Sequence, residues 1–443
     1  MEGRLETPID HPPSISDHGP MNNPQSNFRA QFGEYGKGGF LPLAERLDRI
    51  QPGENPFVVS DALPENAPAF FGRDRVMFGI FATLLHPRSG CVNLLGERGM
   101  GKSSLLNQVF ATLRDEERLI SIFADVRVWP AEYTPAAFFS DLHQAILPVL
   151  PSLSSQEALE ADADDGKKRK KPALVGPPVD PGAPVGDYGG FQDFIRRRNG
   201  FYRFVLILDE FEAMLDGSRF DKEFFENLRE LGITPEYKFG YLLASRQSLS
   251  ELQRRYPDLE SAAFGDIFGL PHAVGALQPE ETTKPLRELW QRSLGKSLSQ
   301  EDIARIQEEA GSHPALIHLL SREIWRICAG EHPLDSEQIK RQLWDYFRQL
   351  WEDRSQAEKD ALFGVLDGKT DPDNATLWDL RQRGLLTKDN ALFSQLFWDF
   401  MTQSVDRECS EALARDPPGG SEWLNKGVEC IADMAGDIAG AYL

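Results

Sequence analysis

Apolar positions follow two patterns along the chain, and the change comes near residue 278. From 91 to 277, short apolar runs alternate with helical stretches. Val92 to Leu95, Phe204-Val-Leu-Ile-Leu208 and Phe239 to Ala244 are compact runs, and Leu119 to Val126 alternates apolar with polar positions. A continuous run such as 204–208 suits a strand covered on both faces. Leu105, Leu106, Val109, Phe110 and Leu113 recur at helical spacing, and helices are also predicted over Arg75–Leu85, Ala136–Leu150, Phe191–Arg198 and Asp221–Leu231. This alternation predicts an α/β fold with a parallel sheet and ligands at the strand C-terminal ends.

From Pro279 onward strands nearly vanish. Thr282–Leu294, Ser299–Glu309 and Pro314–Cys328 read as three helices, with Trp290, Leu294, Ile303, Ile306, Leu316 and Ile317 as core. Gln356–Leu366 and Asn374–Arg383 follow as helices. Gly384-Leu385-Leu386 and Ala391-Leu392-Phe393 then flank the polar turn Lys388-Asp389-Asn390, a hairpin signal. Helix, helix, hairpin and helix in that order suggest a winged helix. The expected organisation is an N-terminal extension over 1–55, largely disordered with a short helix at Leu41–Ile50. An α/β domain over 56–277, a helical lid over 278–353, a winged helix over 354–403 and a tail over 404–443 follow. Residues 151–190 interrupt the α/β domain with an acidic run, a basic run (Lys167 to Lys171) and Pro/Gly-rich sequence, which predicts a disordered insertion. The basic run matches a nuclear-import or nucleic-acid patch in form but reads as a solvated charge run. In the tail, Val428, Ile431, Met434, Ile438 and Tyr442 form one stripe, read as core or as a partner-docking face.

Composition narrows the functional classes. Forty-eight Lys and Arg stand against 69 Asp and Glu, a net charge of −21 that repels nucleic acid and anionic membrane as a whole. Residues 354–403 carry six Lys/Arg against eight Asp/Glu, an acidic balance for a DNA reader. Cys91, Cys328, Cys409 and Cys430 lack metal-site spacing and read as free thiols in a reducing compartment. No apolar run reaches membrane-spanning length, and a cytoplasmic protein is expected.

The chemistry concentrates after the first apolar run, at Gly96-Glu97-Arg98-Gly99-Met100-Gly101-Lys102-Ser103-Ser104. Strand, Gly-rich loop and helix come in the order of a phosphate loop. Its glycines allow close backbone approach, and its amides together with the helix N-terminus favour phosphate. Lys102 is expected to reach the β- and γ-phosphates, and Ser103 to hold Mg²⁺. Asp209 and Glu210 end the buried run 204–208. A carboxylate there needs a cation, so Asp209 is assigned to Mg²⁺ and Glu210 to the attacking water. Arg246 closes the next strand, as a γ-phosphate contact or as an ordinary surface arginine.

The order of Phe71-Gly72-Arg73-Asp74, the phosphate loop, Asp209-Glu210, Ser245-Arg246 and Gly311-Ser312-His313-Pro314 resembles that of STAND-class ATPases, relatives of the AAA+ group. The resemblance spans about residues 56–403. It implies that Gly72 and Arg73 lie near adenine, that Pro314 touches base or ribose, and that Arg246 is a sensor. It also implies a signal-transduction switch, closed with ADP and assembling with ATP, controlling a protein partner or separate effector. The chain departs from the family in lacking a repeat sensor and the Met-His-Asp triplet in the hairpin. A DNA-associated ATPase of origin-recognition or transposition-regulator type is the competing reading, and a nucleotide-bound but idle scaffold a third.

Overall fold

The computed structural model describes residues 27–32, 40–59, 61–86, 90–116, 118–150, 185–198, 201–311, 313–331, 335–369, 374–405 and 421–440. The strands are β1 (Arg29–Phe32), β2 (Cys91–Leu95), β3 (Leu119–Asp125), β4 (Arg203–Asp209), β5 (Phe239–Ser245) and β6 (His272–Ala273). The helices of the sheet region are α1 (Leu43–Leu47), α2 (Asp74–Leu84), α3 (Lys102–Leu113), α4 (Pro135–Ile146), α5 (Tyr188–Arg196), α6 (Lys222–Ile233), α7 (Leu249–Arg255) and α8 (Pro257–Ser261). Beyond them come α9 (Pro279–Leu294), α10 (Gln300–Ala310), α11 (Pro314–Ala329), α12 (Ser336–Glu352), α13 (Gln356–Leu366), α14 (Ala375–Arg383), α15 (Gln395–Ser404) and α16 (Glu422–Gly440).

The six-stranded sheet runs β1-β3-β4-β5-β2-β6, with β1 antiparallel to β3 and the other pairs parallel. In register, Asp125 lies beside Asp209 and Leu95 beside Ser245, so the chemistry-bearing strand ends are level. Phe204, Leu206 and Leu208 of β4 pack into one helical layer, Val205 and Ile207 into the other. This alternation is why the run is apolar at every position.

Two regions differ from expectation. Residues 29–32 form an edge strand where only a disordered extension is expected. Phe28 is buried between Trp129 and Phe138, with ring centroids 5.5 and 5.3 Å away, and the Arg29 guanidinium lies 4.6 Å over the Phe123 ring. The predicted disordered insertion falls, for its greater part, on residues outside the described set. Helix α12, which the sequence reading passed over, buries Ile339, Leu343, Trp344, Phe347, Leu350 and Trp351.

The expected hairpin is a single antiparallel bridge, Leu386 to Leu392, flanked by Thr387 N–H donating to Ala391 at 2.8 Å and Phe393 N–H to Leu385 at 3.2 Å. It lies between α14 and α15. The stripe of α16 is core, since Val428, Ile431, Met434 and Ile438 are buried against α11 and α12. Cys91, Cys328 and Cys430 are free thiols, and Cys409 is outside the described residues. No helix among the described residues is long and apolar enough to cross a membrane.

Candidate functional site

β2 feeds a loop whose shape depends on three glycines. A Cβ on Gly96 would stand 2.5 Å from the Val274 carbonyl oxygen, while Gly99 (φ +76°) and Gly101 (φ +83°) take the left-handed backbone. Gly101 caps α3, which opens with Lys102 and Ser103. Lys102 is buried, and its Nζ donates to the Gly96 carbonyl at 2.8 Å and to that of Glu97 at 3.3 Å. Gly99, Met100, Gly101, Lys102, Ser103 and Ser104 line a cavity of about 980 Å³ together with Asp209 and Glu210.

Asp209 is 2% exposed. Burial pushes its carboxyl up to about 6, against a downward pull from the Ser103 hydroxyl hydrogen bond. A carboxylate and a hydroxyl converging in a buried, acidic corner are the oxygen donors that Mg²⁺ prefers. Glu210 follows in left-handed backbone (φ 52°), a strained state for a residue with a Cβ, and its N–H donates to Asp209 Oδ1 at 3.0 Å. Two arginines flank Glu210 from neighbouring strand ends: Arg127 Nη1 at 3.9 Å and Arg246 Nε at 3.5 Å. Arg127 is itself held by Asp125 through Nε and Nη2 at 3.0 and 2.8 Å.

Arg246 does not line the large cavity. Its Nε donates to Glu212 at 2.9 Å and its Nη1 to Asp353, past the end of α12, at 2.7 Å. It lines a second cavity of about 390 Å³ instead. Among the other expected nucleotide contacts, Arg73, Arg98 and Pro314 line the large cavity, whereas Gly72, Gly96 and Glu97 do not. Gly72 (φ +70°) packs on Leu277 and Glu281. Arg73 Nη2 donates to the Met100 carbonyl at 2.8 Å, bracing the loop, and burial lowers its guanidinium to about 10. Ser312 is outside the described residues.

The apolar end of the cavity is formed by Val58, Phe70, Phe71, Leu277, Pro314 and Leu319. His318 closes it, stacked on Phe71 and edge-on to Phe57, with Nδ1 3.0 Å from the Val58 carbonyl oxygen. An apolar slot and the groups of Lys102, Ser103 and Asp209 in one cavity fit an adenine nucleotide with Mg²⁺.

The far side of the loop is covered by the later helices. Ala315 N–H donates to the Gly99 carbonyl at 3.2 Å, and Tyr346 Oη to that of Arg98 at 3.1 Å, with His313 Nε2 2.8 Å from the same hydroxyl. Glu97 is wholly buried, with Oε2 2.6 Å from Arg354 Nη1 and 2.8 Å from Arg383 Nη2. Met100 packs on Gly384. Sequence reasoning missed Arg127, Tyr346, His318 and the roles of Arg354 and Arg383. The aromatic periodicity of 339–351 was a readable signal for the helix that carries Tyr346.

Comparison with known proteins agrees with this geometry. Residues 69–244 match the family model described as the AAA ATPase domain. Across that span the chain is therefore similar to an AAA ATPase domain, on an α/β fold with a parallel-sheet core. The structure is similar to the Walker-type ATPase PABY2304 of Pyrococcus abyssi, at 17% identity, 76% of this chain, 96% of that chain and a TM-score of 0.47. It is also similar to the Aeropyrum pernix ORC2 protein in ADPNP-ADP complexes, at 15% identity, 85% and 96% coverage and a TM-score of 0.40. Cdc6p of Pyrobaculum aerophilum is similar at 12% identity, 82% and 94% coverage and a TM-score of 0.38. No match is found among curated proteins.

Proposed function

We propose that the chain is a regulatory switch of STAND type that binds Mg·ATP, hydrolyses it slowly, and changes shape or assembly to control a protein partner. The observation that carries this reading is the contact made by four consecutive loop residues. Glu97, Arg98, Gly99 and Met100 each touch an element beyond residue 310. A loop that adjusts to the phosphates would therefore also adjust the packing of a helical lid (278–353) and a winged helix (354–403). Mg²⁺ would neutralise charge on the β- and γ-phosphate oxygens. Lys102 would bind the phosphates, Glu210 would orient and polarise the attacking water, and Asp209 with Ser103 would hold the metal. Arg246, bound to Glu212 and Asp353, would report on the phosphates through the winged-helix junction.

DNA reading is disfavoured by charge. Residues 354–403 hold six Lys/Arg against eight Asp/Glu, and burial of Arg354 and Arg383 is matched by burial of Glu358 and Asp399, so the segment keeps its acidic balance. The test is light scattering of the full chain with Mg·ATP, ADP and no nucleotide, for wild type and Glu210→Gln. A mass or radius that differs between ATP and ADP is the expected result. Identical values in all states would remove the switch.

A further inference from the structure

The buried ion-pair cluster behind the phosphate loop joins residues far apart in the chain. Glu97 meets Arg354 at 2.6 Å and Arg383 at 2.8 Å. Arg383 also meets Glu358 at 2.7 Å and Asp379 at 2.9 Å, and Arg354 meets Glu358 at 3.3 Å. Two guanidiniums therefore face three carboxylates. Glu97 comes from the loop, whereas the other four residues belong to the segment from 354 to 383. The backbone of Glu97 points the other way, its carbonyl accepting from Lys102 Nζ at 3.3 Å. One residue thus touches the phosphate-binding lysine with its main chain and the later helices with its side chain.

We propose that Glu97 is a positioning residue that makes phosphate affinity depend on the docking of Arg354 and Arg383. This rests on the switch reading above and names the regulation of that same site. With both arginines in place, the Glu97 carboxylate is paired with two guanidiniums and the loop accepts anionic phosphates. When the 354–383 segment departs, a bare carboxylate is left in the phosphate loop and repels them. By linkage, bound phosphate favours the docked segment to the same degree. Burial of an ion pair does not require this role, because an apolar replacement would pack as well; the location in the loop gives the charge its effect.

The test is calorimetric titration of the full chain with adenosine, ADP and Mg·ATP, for wild type, Arg383→Gln, Glu97→Gln and the double variant. Arg383→Gln should weaken ADP and Mg·ATP binding by about tenfold or more and leave adenosine within about twofold. Adding Glu97→Gln should recover most of that loss, since the loop itself then carries no carboxylate short of its second guanidinium. Arg354→Gln should repeat the pattern and replaces Arg383→Gln if that variant does not fold. Equal losses for adenosine and nucleotides, or a double variant no tighter than Arg383→Gln, would overturn the proposal. If wild type binds neither ADP nor Mg·ATP, the switch reading falls with it. If affinities follow the expected pattern while light scattering is unchanged by nucleotide, the coupling stands and only the switch reading falls.

Discussion

Gly311 lies directly against the Phe393 carbonyl, so close that a Cβ on Gly311 would overlap its oxygen. This contact sets the end of α10 against the bridge region that follows α14. It also separates two demands on a glycine, backbone angle and space. Gly311 (φ +61°) and Gly295 (φ +69°) both take the left-handed backbone at helix C-caps, but nothing lies within 4 Å of a Cβ on Gly295. Gly295→Ala should therefore cost about 1–2 kcal/mol, the left-handed penalty alone. Gly311→Ala adds overpacking against backbone and should cost roughly 3–5 kcal/mol in total. Urea denaturation of both variants measures this, and equal midpoints would show that the Phe393 contact is not formed.

Acid should weaken the apolar slot through His318. The ring is packed among Phe57 and Phe71, and burial lowers its pKa from 6.5 to about 4. In the unfolded chain the imidazole protonates near 6.5, so between 6.5 and about 4 the unfolded state binds the extra proton. The stability contributed by neutral His318 is complete above 6.5 and is lost as pH falls toward 4, on the order of 3 kcal/mol. His313, lowered to about 3, extends the same trend to more acid pH. His318→Phe should flatten the pH dependence of the denaturation midpoint relative to wild type between pH 7 and 4. Parallel curves would mean that His318 titrates normally.

The sheet and the loop were legible because their signals are local. The short run Val92 to Leu95, a Gly-rich loop and a helical stripe sit within 25 residues, and the strand-end acids Asp209-Glu210 follow a run that can only be buried. The four-residue β1 is too short to show a period, and Phe28 signals its burial only once Trp129 and Phe138 are known to be near. Glu97 could be assigned to the loop but not to Arg383, because that pair spans 286 positions. The same gap hides which charges are available. Arg354 and Arg383 enter the composition of 354–403 as available cations, yet both are buried. Arg246 follows β5 directly, but its partner Asp353 lies just past α12, 107 positions along the chain.

Lys102→Ala should abolish tight nucleotide binding with little change in fold. In the structure its Nζ holds only two loop carbonyls, Gly96 and Glu97. The charge is therefore available to a phosphate at the loss of two hydrogen bonds to neutral groups. Removing it should weaken Mg·ATP binding by about 10- to 100-fold, the range for a charge-assisted contact. Calorimetry with Mg·ATP measures the loss, and a circular-dichroism melt confirms the fold. Unaltered affinity would place the phosphates elsewhere.

Asp209 and Glu210 are adjacent, but their surroundings differ, and this yields the sharpest prediction. Asp209 is 2% exposed and bonded to Ser103, while Glu210 faces the guanidiniums of Arg127 and Arg246 from a strained backbone. If Asp209 holds the metal, Asp209→Asn should lose the dependence of ATP affinity on Mg²⁺. Glu210→Gln keeps the length and one hydrogen-bonding oxygen but cannot polarise water, so ATP binding and its Mg²⁺ dependence should persist. Its turnover should fall by about 10²- to 10⁴-fold, the usual contribution of a positioned base. The two variants should therefore separate in a plot of affinity against Mg²⁺ concentration and in phosphate release. A Glu210→Gln chain that releases phosphate at the wild-type rate would exclude Glu210 as the base, whatever its place beside Asp209.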